Sequence, residues 1–120
     1  MKKKAAARKK RYGMVIEVVP EKLGEYKRLH ADVWPDVLKM IRKCNIRNYS
    51  IHLRRFDDGR HFLFSYFEYA GKDFAADMKK MAADPTTQEW WKVCIPCQRP
   101  FTSRAKGEWW VDMEEVFYTD

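Results

Sequence analysis

Over residues 12–19 apolar side chains alternate, with Tyr12, Met14, Ile16 and Val18 on one side and Val15, Glu17 and Val19 on the other. A period of two with both sides largely apolar predicts a strand inside a sheet. Pro20 ends it, and from Glu21 the spacing becomes helical, with acidic residues at the start as the helix dipole favours. At roughly 100° per residue, Leu23, Tyr26, Leu29, His30, Val33 and Trp34 fall inside an arc of about 140°, opposite Gly24, Glu25, Arg28, Ala31 and Asp32. His30 therefore faces inward, one turn after Tyr26. Proline disfavours helical geometry at the residue before it, so the first helix is expected to end near Ala31. Pro35 then opens a second, carried by Val37, Leu38, Ile41 and Cys44 and closed by Asn45, and the break between them would widen a pocket mouth beside His30.

The remaining pattern continues the alternation of types. Residues 46–56 read as a strand with Ile46, Asn48, Ser50 and His52 on one face and Tyr49, Ile51 and Leu53 on the other. The turn Asp57-Asp58-Gly59-Arg60 predicts a hairpin into an aromatic-rich strand over 61–69. Phe74, Met78 and Met81 give a helix over 71–83, whose methionine stripe is expected to be core. Asp84 and Pro85 then supply an N-cap and first-turn proline for another, reaching Trp90, Trp91 and Lys92. Pro96, Pro100 and Gly107 mark a loop before a last strand over 109–118. The order predicts an α+β fold of ferredoxin-like βαββαβ type, one antiparallel sheet with helices on a single face. The uncovered face carries too much aromatic surface to be left bare, which predicts a homodimer of the dimeric α+β barrel type.

Charge changes this picture only at one end. Of 24 basic residues, seven lie in residues 1–11 without an acidic one, leaving 17 against 17 acidic in the body. The net charge of +7 thus belongs to a tail, expected to be a disordered solvated arm, and the single domain is expected over 12–120. Such an arm would grip polyanions without specificity, so no specific nucleic-acid partner is expected. No apolar run reaches the ~20 residues of a membrane span and no signal-like segment follows the basic start, which predicts a cytoplasmic protein with no membrane partner. Cys44, Cys94 and Cys97 are an odd count. Cys94 and Cys97 form a CxxC, but at the end of a helix and around a proline, wrong for a reactive pair, so buried inert thiols are expected.

Candidate chemistry gathers at Tyr26, His30, Tyr49, Trp90 and Trp91. One imidazole, two phenols and two indoles suit the C–H face and polar edge of a sugar or another ring. Metal ligands are too few and no phosphate-cradling glycine loop exists, so neither metal nor cofactor is expected. A backbone-satisfied core histidine and core tryptophans are the plainer reading of the same residues.

Residues 12–118 also resemble the L-rhamnose mutarotase family, through Tyr26-x3-His30-x3-Trp34-Pro35, Asn48-Tyr49-x-Ile51, Gln88-x-Trp90-Trp91-Lys92 and Glu115-Val116-Phe117-Tyr118, in that order. The resemblance implies a dimeric ferredoxin-like enzyme that interconverts α and β anomers of L-rhamnose without a cofactor. It makes His30 the proton donor and Tyr26, Tyr49, Trp90 and Trp91 the sugar-binding residues. On that reading His30→Ala should abolish most activity, and Trp90→Ala should mainly weaken binding. The chain departs from the family pattern in its tail and over 94–106, and a related 6-deoxy sugar such as L-fucose remains an alternative substrate. The alternative functions are a small cofactor-free monooxygenase on the same dimeric fold and a non-enzymatic binding module.

Overall fold

The computed structural model describes residues 10–120. The expected basic arm falls largely outside the described residues, but its last two members do not: β1 spans Lys10–Val18, two residues earlier than the alternation suggests. It is followed by a 3-10 turn at Pro20–Lys22, α1 (Leu23–Ala31), α2 (Pro35–Lys43), β2 (Ile46–Arg55), β3 (His61–Tyr69), α3 (Phe74–Ala83), α4 (Pro85–Cys94), β4 (Gln98–Arg99) and β5 (Val111–Met113). The sheet order is β2-β3-β1-β4, all antiparallel, with β5 also on β1. This is the ferredoxin-like order the element sequence predicts, with each helical crossover divided in two by a proline.

The residues that alternate in β1 decide which face the helices cover. Ile16 and Val18 are fully buried and join Leu63 of β3, Tyr26 of α1 and Cys97 in one core cluster. Further along the same face, Ile46, Phe67 and Tyr69 pack against Tyr12, Met14, Phe74, Met78 and Met81. The methionine stripe of α3 is partly buried and packs against this core, on the face its spacing suggests. A second layer lies between helices, where Val37 of α2 meets Trp90 and Cys94 of α4. All three cysteines are free and buried.

Two expectations about the strands are corrected. In β2 the simple alternation fails at a bulge: Asn48, at φ 51°, and Tyr49 together stand between the paired rungs Arg47–Glu68 and Ser50–Tyr66. Asparagine tolerates this left-handed geometry better than most residues, and the extra residue reverses the facing of what precedes it. Ile46 thus shares the helix-covered face with Ile51 and Leu53 instead of facing away with Ser50 and His52. The last strand, expected over 109–118, is limited to Val111–Met113. Trp109 and Trp110 do not alternate but both pack on the Ile16 cluster. Beyond Met113 the chain is tied to β1 by side chains, with Arg11 pairing to Glu115 at 2.8 and 2.9 Å and lying over the Tyr118 ring.

Candidate active site

α1 places two polar-tipped rings one turn apart, as four-residue spacing requires. Tyr26 is buried, and its ring stacks on that of half-buried His30 with centroids 4.1 Å apart. His30 Nδ1 lies 2.9 Å from the Tyr26 main-chain oxygen. A carbonyl can only accept, so this contact puts the imidazole hydrogen on Nδ1 and leaves Nε2 with a free lone pair in the neutral ring. Burial lowers the His30 pKa from its ordinary 6.5, the bond to the carbonyl opposing it in part. At neutral pH the ring is therefore uncharged, an acceptor at Nε2 that donates there only after taking up a proton.

The helix break supplies the wall. Trp34, extended at ψ 133° ahead of Pro35, sets its ring edge-on to Trp90 at 5.1 Å, and Trp90 stands edge-on to His30 at 5.2 Å. Trp90 reaches this point because α4 starts where it does. The Asp84 carboxylate caps it, accepting from Thr87 N at 2.9 Å and Thr87 Oγ1 at 2.8 Å, with Pro85 in the first turn. Capping of this kind satisfies amide hydrogens that the helix itself leaves unpaired.

Of the five residues singled out in the sequence, Tyr26, His30 and Trp90 form one group of contacting rings. Tyr49 joins it from β2. The bulge keeps its ring on the helix side, edge-on to Phe67 at 5.5 Å, near enough for its phenol to raise the Tyr26 pKa electrostatically. Tyr49 leaves 45% of its surface exposed as a residue, yet burial pushes its phenol up to about 12, Cys94 adding to the effect. Trp91 is 39% exposed and, among the described residues, makes none of these ring contacts. The structure does not bring it into the group.

Burial also raises the Tyr26 phenol well above its usual value, Tyr49 and Cys94 adding to this, while the neighbouring Gln98 amide works against it. Gln98 and its neighbour Trp109 are the members of this region that the sequence does not announce. Gln98 sits in a stretch read as loop, and only the pairing of β4 with Val18 brings it beside α1. The Cys94 thiol is pushed up to about 12, by burial first and by Cys97 second, and so stays protonated. Among the described residues no three His, Cys, Asp or Glu side chains gather as ligands for a metal ion. No described helix is long and apolar enough to cross a membrane.

A family model described as L-rhamnose mutarotase matches residues 11–119. Among curated relatives, the L-rhamnose mutarotases of Oceanobacillus iheyensis and Bacillus subtilis are each 32% identical over 111 residues, spanning 92% of this chain and 99% of theirs. Among solved structures, the L-rhamnose mutarotase of Formosa agariphila superposes with a TM-score of 0.69 at 19% identity, covering 92% of this chain and 99% of that one. The tetracenomycin F2 cyclase of Streptomyces glaucescens shares the fold at a TM-score of 0.60 and 18% identity, covering 92% and 95%.

Proposed function

The chain belongs to the L-rhamnose mutarotase family, and from that premise we propose that its stacked ring group opens and recloses the pyranose of L-rhamnose. The activity is the isomerisation of α and β anomers. Neither the family match nor the relatives point to a monooxygenase.

The observation that carries the mechanism is the 2.9 Å contact from His30 Nδ1 to the Tyr26 carbonyl. With Nδ1 committed, Nε2 takes the hydrogen of the anomeric O1 hydroxyl as the C1–O5 bond breaks and C1 becomes an aldehyde. The imidazolium then gives that proton to O5. Both oxygens start on the same carbon, so one nitrogen serves both. Rotation about C1–C2 presents the other carbonyl face, and closure runs the same transfers backwards: Nε2 takes the O5 hydrogen as O5 attacks C1, and returns it to O1. His30 is thus the proton donor the family resemblance implies, in the half of each step after it has served as base. General acid–base assistance of this kind is worth about 10² to 10⁴ in rate.

Tyr26 and Tyr49, held protonated by burial, donate hydrogen bonds to sugar oxygens without ionising. Trp90 walls the site behind His30, and Trp91 offers an indole face to the sugar's C–H surface.

We further propose a cytoplasmic homodimer. The sheet face away from the helices carries Val15, Phe64, Tyr66, Val111 and Met113, with Phe56 stacked on Phe64. Beside it Val116 and Phe117 leave 87% and 79% of their surface exposed, more contiguous apolar area than a lone subunit ordinarily shows to water.

The substrate is tested by saturation-transfer NMR on L-rhamnose, L-fucose and D-galactose anomers with and without protein. Faster anomer exchange for L-rhamnose than for the other two is expected. Acceleration of none of the three would end this reading.

A further inference from the structure

Ile46 and Ile51 stand an odd number of residues apart in β2, and yet both face the helices. Ile46 is buried against Phe67 and Tyr69, and Ile51 packs on the cluster that holds Tyr26 and Ile16. A regular strand alternates faces, so two such residues belong on opposite sides. Asn48 resolves the conflict. At φ 51° it makes the bulge between the rungs Arg47–Glu68 and Ser50–Tyr66, so that it and Tyr49 together stand opposite Phe67. The Tyr49 ring meets Phe67 edge-on at 5.5 Å on the helix side. The Asn48 side chain turns to the other face, where Nδ2 donates to Glu68 Oε1 at 2.8 Å and the Tyr66 hydroxyl donates to Glu68 Oε2 at 2.7 Å. Glu68 and Tyr66 belong to the two rungs that bracket the bulge. One carboxylate spans it.

We propose that Asn48, fastened to Glu68, is a positioning residue that aims the Tyr49 ring at the sugar from the opposite face of the sheet. The inference rests on the mutarotase reading above, which makes Tyr49 a sugar-binding residue, and deepens it by naming what holds that ring. Bulges re-aim the side chains beside them. Here the strand is anchored in the core on both sides, by Ile46 and by Ile51, so the extra residue has no way to be paired out of the sheet. A misfit at residue 48 therefore falls on its neighbour Tyr49, the less buried of the residues it adjoins on the helix side. Asparagine accepts positive φ, glycine accepts it freely, and a β-branched side chain resists it.

The test separates the backbone angle from the side-chain bond. Asn48→Gly keeps the angle and gives up the bond to Glu68, whereas Asn48→Val gives up both. KM for L-rhamnose should rise about two- to threefold with glycine and about tenfold with valine, kcat moving less. Because the effect runs through one ring, adding Asn48→Val to Tyr49→Ala should raise KM little beyond Tyr49→Ala alone. Circular dichroism shows which variants are folded. Should Asn48→Val not fold, Glu68→Ala cuts the same bond from β3 without touching the backbone of β2, and its KM should match that of Asn48→Gly. A wild-type KM in folded Asn48→Val or in Glu68→Ala, or effects that add fully in the double variant, would overturn the proposal. A wild-type protein inactive on L-rhamnose, or a wild-type KM in Tyr49→Ala, would instead remove the reading that gives Tyr49 its role, and the proposal with it; neither of those failures involves a change at Asn48.

Discussion

At the scale of single residues, the state of one imidazole decides the chemistry. Burial holds the His30 pKa below its ordinary 6.5, and the reaction as drawn starts from the neutral ring. The rate constant for anomer exchange should therefore be level at and above neutral pH and fall as acid protonates Nε2, with a midpoint below 6.5, read by NMR line exchange across a pH series. The same shift has a sign for stability. Above 6.5 neither folded nor unfolded chain protonates this ring and it contributes nothing; below it, the unfolded chain takes up the proton first, so acid destabilises the fold. The two tryptophans also separate at this scale. Trp90 is 7% exposed and packs on Val37 and Cys94, so Trp90→Ala opens a core and should cost about 3–5 kcal/mol of stability. The expectation drawn from the sequence, that this substitution mainly weakens binding, is not what such burial predicts. Trp91, 39% exposed, is the cleaner probe of binding. Trp91→Ala should raise KM about two- to tenfold, from an aromatic contact of about 0.5–1.5 kcal/mol, while leaving the melting temperature near wild type.

At the scale of elements, the site depends on where two helices start and stop. α1 stops before Trp34 and α4 starts at its Asp84 cap; both signals are local and are legible as Trp34-Pro35 and Asp84-Pro85. Asp84→Ala should lower stability by about 1–2 kcal/mol in a denaturant titration, by releasing the Thr87 amide and hydroxyl together. The inward facing of Tyr26 and His30 was equally legible, because helical periodicity fixes which residues share a face. The bulge at Asn48 was not. Alternation assumes an unbroken period of two, and one asparagine at positive φ is enough to move Ile46 to the other face. The last strand was over-read for a related reason. Trp109 and Trp110 fit an alternating pattern, but both are drawn to the same core cluster. The Gln98–Trp109 contact had no local signal at all, since it joins the short strand β4 to a residue of the irregular stretch after it through tertiary packing alone.

At the scale of the whole molecule, the element order specified the sheet order, because a βαββαβ chain with antiparallel neighbours has few other ways to cover one face. What the other face does follows from its surface. A dimer packed through it should run in light scattering at twice the 14.4 kDa chain mass, and Phe64→Glu, which sets a charge in its middle, should give the single-chain mass. Retention of the dimer by that variant would locate the interface elsewhere. The account as a whole turns on a proton carried between two oxygens of one sugar by His30. Saturation-transfer NMR on equilibrated L-rhamnose, with wild type and His30→Ala at equal concentration and matched circular dichroism, tests it most directly. Anomer exchange well above the buffer rate with wild type, and falling by about 10² or more toward it with His30→Ala, is the predicted result; exchange as fast with the alanine variant as with wild type would contradict it.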